Sequence, residues 1–176
     1  MGRSHEYLFE DAKNLCIDPR VIIDLGCIKS NHPKAPGSYG WSTLAWAKLC
    51  PMAIIHTVDI DPRAVRVSKG VLGARLSKGE LSRIRFHKED AVRFLKRFSQ
   101  EIDILYFDGP GEQGSREGLH AAASKSLQLS SVILFDDCDL PEGKDGRRPV
   151  IADALSLGFV TVKDTGRQVL MIRESL

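Results

Sequence analysis

The chain predicts a doubly wound α/β sheet, mostly parallel and finished by a C-terminal antiparallel hairpin. Three observations carry that prediction. Five hydrophobic runs (VIIDL, IIHTVD, RIRFH, DILYF, VILF) alternate with segments of helical period, which is the pattern of βα units. Three of the runs end in carboxylates, at Asp59, Asp108 and the pair Asp136-Asp137, while the first carries Asp24 just before Gly26. Buried parallel strands read as near-continuous apolar runs, and ligands of such sheets collect beyond the strands' carboxyl ends. Finally, two β-rich runs, FVTV and QVLMI, flank Lys163–Arg167, where Asp-x-Gly signals a hairpin.

In order, His5–Cys16 reads as a short amphipathic helix and Arg20–Leu25 as the first strand. A polar loop with two prolines follows, and Gly40-Trp41-Ser42-Thr43 opens a helix to about Leu49, with Ser42 as a candidate cap. Ile54–Asp59 is the second strand, and Asp61-Pro62 caps a helix to about Leu76 that Gly70 and Gly73 loosen. Arg83–His87 alternates as strand three, and Asp90 caps the helix Ala91–Phe98. Asp103–Phe107 is strand four, Arg116–Leu127 a helix and Ser131–Phe135 strand five. The charged loop Cys138–Arg148 leads to the helix Pro149–Leu157. Residues 1–176 read as one domain with residues 1–18 as a helical extension, a length that allows a real core.

A hydrophobic share of 43% and a charged share of 27% are ordinary for a soluble globular protein. The net charge of +2 decides nothing about polyanionic partners. Its distribution is uneven, because Arg63–Lys88 holds eight Lys/Arg against the single acid Glu80. Four widely spaced cysteines without C-x-x-C point to buried free thiols in a reducing compartment. With neither an apolar leader at the N-terminus nor a membrane-length apolar run, the expectation is a cytoplasmic protein without membrane attachment.

Four motifs stand in register along the chain: Asp24-Leu25-Gly26, Asp59 in VDIDP, Asp90-Ala91 after strand three, and Asp108 ending strand four. With the terminal hairpin they resemble the Rossmann-like class I S-adenosylmethionine-dependent methyltransferases. The resemblance implies that Asp24, Gly26, Ser38, Gly40, Trp41, Ser42 and Thr43 face the methionine end of the cofactor. Asp59, with Ile60 beside it, would accept both ribose hydroxyls, since one carboxylate can take two donors. Asp90 and Ala91 would lie beside the adenine, and Asp108 at the reacting centre. The family's first loop is usually short and Gly-rich. Here an insertion, Ile28–Pro36, separates Gly26 from GSYGWST.

FDG followed by ILFDD is similar to the small O-methyltransferases related to catechol O-methyltransferase and to methyltransferase family 24. That likeness implies a divalent cation, such as Mg²⁺, held by Asp108, Asp136 and Asp137. The cation would acidify and orient a small-molecule hydroxyl for methylation, with Asp108 as the catalytic residue. Lys144, Arg147 and Arg148 suggest an acidic group on that substrate.

Three rivals stay open. An RNA methyltransferase would use the basic run to bind phosphates. A nicotinamide-dependent oxidoreductase would use Asp59 on the NAD ribose, although G-x-G-x-x-G is missing. The interrupted first loop would also suit a non-catalytic cofactor-binding module. A homo-oligomer is a further option.

Overall fold

The structure, a computed structural model, describes residues 8–28, 41–109, 111–140 and 148–174. Among these, seven strands form one sheet: β1 (Val21–Leu25), β2 (Ile54–Asp59), β3 (Ile84–Lys88), β4 (Ile102–Phe107), β5 (Leu127–Phe135), β6 (Phe159–Asp164) and β7 (Val169–Arg173). Their order is β3-β2-β1-β4-β5-β7-β6. Pairings from β3 to β5 are parallel, while β7 runs antiparallel to both β5 and β6. The chain order reverses between β1 and β4, so the ends of these two strands open a crevice at the topological switch point.

Side-chain alternation divides the core into two layers. Ile22, Ile104, Tyr106, Val132, Leu134 and Leu170 face α1 (Phe9–Leu15), α2 (Ser42–Leu49) and α3 (Pro62–Arg75). Ile23, Leu25, Leu105, Phe107, Ile133 and Phe135 face α5 (Ala91–Arg97), α6 (Glu112–Ala123) and α7 (Arg148–Ser156). Trp46 is fully buried and meets Phe9 edge-on at 4.8 Å. All four cysteines are free and buried. Among the described residues no helix is long and apolar enough to cross a membrane.

The predicted strands and the hairpin are present, and Asp61 and Asp90 cap their helices through Arg63 N and Arg93 N at 2.8 and 2.9 Å. Four expectations are corrected. Gly70 and Gly73 lie inside an unbroken α3, where nothing approaches their missing side chains. A one-turn helix, α4 (Lys78–Leu81), was not expected, although Ser77 and Glu80 form a capping box. β5 begins at Leu127 rather than Ser131, and α6 begins at Glu112 rather than Arg116. Ser42 does not cap α2, because its hydroxyl turns to Asp24.

Candidate active site

Period-two alternation puts Asp24 on the same face as Ile22, beneath the first turn of α2. There the Ser42 hydroxyl donates to the carboxylate at 2.9 Å and the Thr43 hydroxyl at 2.5 Å. The Thr43 and Thr57 hydroxyl oxygens lie 3.2 Å apart, joining β1, α2 and β2. Asp24 is fully buried, and desolvation pushes its pKa up to about 8 despite these donors. The charges of Asp108 and Asp59 push the same way. The structure therefore brings Asp24, Ser42 and Thr43 together as one enclosed cluster. Trp41 is also buried, with Arg75 stacked 4.6 Å from its ring.

Beyond Leu25 the chain turns at Gly26, whose φ of +136° suits glycine. The Gly26 N–H donates to the Val58 carbonyl at 2.9 Å, and the Asp108 N–H to the Leu25 carbonyl at 3.0 Å. Backbone hydrogen bonds thus tie the ends of three neighbouring strands together at the crevice. Ser38 and Gly40 lie outside the described residues.

Asp59 is half-buried at the end of β2. Its Oδ2 accepts from Cys27 N at 3.0 Å and its Oδ1 from Asp61 N at 2.8 Å. These two backbone donors fix the carboxylate, and each oxygen keeps a second lone pair for a further donor. Ile60 beside it is 69% exposed, an unusual position for a large apolar side chain. Asp90 and Ala91 sit half-buried at the start of α5, with Asp90 Oδ1 used by the cap.

The acid pair at the end of β5 is arranged differently from the metal-binding expectation. Asp137 has φ +55°, a turn that lets two successive carboxylates face one partner. That partner is Arg167 from the β6–β7 turn, with Nε 3.0 Å from Asp136 Oδ1 and Nη2 2.9 Å from Asp137 Oδ1. Tyr106 donates its hydroxyl to Asp136 Oδ2 at 2.7 Å. Burial of that phenol, with Asp108 and Asp136 nearby, raises its pKa well above the usual tyrosine value. Among the described residues no three His, Cys, Asp or Glu side chains group as a metal site. A carboxylate pair engaged by a guanidinium does not fit a divalent cation as it stands.

Arg148 ion-pairs with Asp164 and donates to Gly166 O, so it braces the hairpin. Lys144 and Arg147 lie outside the described residues. Sequence reasoning missed Cys27, Thr57, Tyr106 and Arg167. Only the position of Arg167 next to Asp-x-Gly offered a signal, because hairpin turns project beyond the strand ends.

Comparison with known families agrees with this architecture. Residues 37–138 match the profile of a methyltransferase domain, that of family 24. The chain belongs to this family and is a class I S-adenosylmethionine-dependent methyltransferase. Methyl transfer, not hydride transfer, is the chemistry of that family. No curated protein sequence matches the chain. Among solved structures, it is similar to the S-adenosylhomocysteine-bound methyltransferase PaMTH1 of Podospora anserina, at 16% identity and TM-score 0.68 over 96% of this chain and 76% of that one. It is also similar to a Clostridium thermocellum protein provisionally assigned as an rRNA-methylase, at 14% identity and TM-score 0.68 over 94% and 93%. A provisionally assigned O-methyltransferase from Klebsiella pneumoniae gives 14% identity and TM-score 0.64 over 98% and 83%. Identities this low speak for the fold alone.

Proposed function

We propose that the chain methylates a hydroxyl group of a small molecule, with S-adenosylmethionine held over the ends of β1, β2 and β4. The observation supporting this is the convergence of Gly26, Asp59 and Asp108 on one crevice at the switch point, above the buried Asp24 cluster. When bound, the cofactor supplies an electrophilic methyl group on a sulfonium. Asp59 accepts the ribose hydroxyls, and its backbone donors hold it in place for that task. Ile60 and Ala91 offer apolar contact to a planar base, and Asp90 accepts from its exocyclic amine. Asp24, Ser42 and Thr43 position the first loop from beneath. As the acceptor oxygen forms its bond to the methyl carbon, the carbon–sulfur bond would break to leave S-adenosylhomocysteine, and Asp108 would receive the proton that the hydroxyl gives up.

A divalent cation has no part in this reading, because Arg167 already ion-pairs with Asp136 and Asp137. A small acceptor is favoured over RNA by the use made of the basic run. Arg83 donates to the Cys50, Ala53 and Ala47 carbonyls, Arg75 covers Trp41, and Lys69 lies over Phe86. Those cations serve the fold. The second reading, RNA methylation, draws on the exposed Arg63, Arg66, Arg85 and Lys88 and on the likeness to the Clostridium protein. A methyl-transfer assay with labelled cofactor separates the two. Transfer to hydroxylated aromatics and other small alcohols supports the first reading. Transfer only to RNA, with affinity falling steeply with salt, supports the second.

A further inference from the structure

The two carboxylates that end β5 are held in a way that assigns a role to the hairpin. Asp136 is nearly enclosed, and a buried carboxylate needs a counter-charge or a proton. It receives one hydrogen bond from Tyr106, on the neighbouring strand β4, and a second from the Asp137 N–H at 2.8 Å. Arg167 ion-pairs with both acids, its Nε 3.0 Å from Asp136 Oδ1 and its Nη2 2.9 Å from Asp137 Oδ1. A planar guanidinium presents separate donors to two acids in a fixed fork, whereas an ammonium offers a point charge with rotatable donors. The arrangement is also fixed through the backbone. Cys138 N donates to the Arg167 carbonyl at 2.8 Å, so the residue after the acid pair holds the main chain of the residue that neutralises it. On the other side of the turn, Gly166 has φ +87° and its N–H donates to Asp164 at 2.7 Å. Arg148 donates to the Gly166 carbonyl at 2.8 Å. The turn that carries Arg167 is therefore tied at both ends.

From this geometry we infer that Arg167 is a built-in counter-cation for Asp136 and Asp137, standing where a divalent ion would otherwise be held, so that the acceptor side of this enzyme works without a metal at that pair. The inference rests on the proposed methyl transfer and takes the end of β5, beside the end of β4 that carries Asp108, as the acceptor side. Arg167 acts as a positioning residue here, setting the charge and orientation of the two acids without touching the reacting atoms. A guanidinium that already spans both carboxylates leaves an incoming cation facing charge repulsion. Two hard oxygen ligands would become available only if that guanidinium were removed.

The test is a Mn²⁺ titration of the full chain, followed by the paramagnetic resonance signal of the free ion. It is run on wild type, Arg167→Met and the double variant Arg167→Met/Asp136→Asn. The wild type is expected to leave the signal of added Mn²⁺ undiminished. Arg167→Met is expected to bind one ion per chain at least about tenfold more tightly, and the double variant to lose that gain. In a parallel assay, wild-type methyl transfer is expected to be the same in Mg²⁺ and in a chelator. Saturable Mn²⁺ binding by the wild type that Asp136→Asn abolishes would overturn the inference. Equal, weak binding by wild type and Arg167→Met, with both chains folded by circular dichroism, would overturn it too. Should Arg167→Met fail to fold, Arg167→Lys carries the same comparison, with a smaller gain expected. The titration needs neither cofactor nor acceptor, so its outcome stays distinct from a failure of the proposed methyl transfer.

Discussion

Gly26 and Gly109 meet backbone to backbone where β1 and β4 end. A Cβ on Gly109 would stand 2.9 Å from the Leu25 carbonyl oxygen and 3.2 Å from Gly26 N. A Cβ on Gly26 would stand 3.3 Å from Gly109 N, at a φ of +136° that side chains avoid. This close approach leaves no room for a Cβ on Gly109 without a backbone shift.

Gly109→Ala therefore pushes two backbones apart at the proposed methyl-transfer centre. We expect a loss of about 1–3 kcal/mol in stability, the usual scale for overpacking. S-Adenosylhomocysteine binding should weaken with it. Chemical denaturation and calorimetric titration of the variant check both effects.

Gly70 and Gly73 give the opposite expectation. Both lie on the exposed face of α3, with open space where a Cβ would sit. Alanine at each position should stabilise the chain by about 0.5–1 kcal/mol, because glycine loses more backbone freedom in a helix. The double variant's urea midpoint should rise while cofactor binding stays unchanged.

Asp24 makes stability depend on pH. Its folded pKa of about 8 lies above its ordinary value of 3.8, so the folded state holds a proton that the unfolded state releases. That contribution is fully present below 3.8 and is lost as pH rises through about 8. The slope is at most about 1.4 kcal/mol per pH unit. Asp24→Asn keeps the shape without the ionisation, so its urea midpoint should lie flatter than wild type between neutral pH and pH 9.

His56 works at the other end of the scale. It stacks on His87 at 5.2 Å and packs beside Phe94 and Phe98. Burial, then the charges of His87, Arg85 and Arg97, lower its pKa to about 4. The unfolded chain binds the proton first, so stability present above about 6.5 is lost as pH falls through about 4. His56→Phe should narrow the acid-induced loss, which urea midpoints at pH 7 and pH 4.5 would reveal. The Asp24 and His56 slopes oppose each other between pH 4 and 6.5, so each is read as a difference between variant and wild type.

The strand ends were legible because buried parallel strands are continuous apolar runs, which makes a carboxylate such as Asp59 or Asp108 conspicuous. Caps at Asp61 and Asp90 were legible because they act within three residues. Ser42 misled, since its hydroxyl serves Asp24, 18 positions earlier in the chain, instead of its own helix. Of the first residues of β5, Leu127 reads as the end of the preceding helix and Gln128–Ser130 as the connection after it, because two of those three are polar. Arg167 was invisible as a partner of Asp136 because only the strand order β5-β7 brings the hairpin turn beside that acid. Local pattern reports what a residue is suited to. Long-range pairing decides what it touches.

Asp59, at the end of β2, is proposed to hold the cofactor's ribose beside the crevice that opens between β1 and β4. Calorimetric titration with S-adenosylhomocysteine, on wild type and Asp59→Ala, tests it most directly. One site per wild-type chain is expected, with at least about a tenfold loss of affinity in the variant, the scale of a lost hydrogen bond to a charged group. Equal affinity in both chains, with the variant still folded, would contradict it.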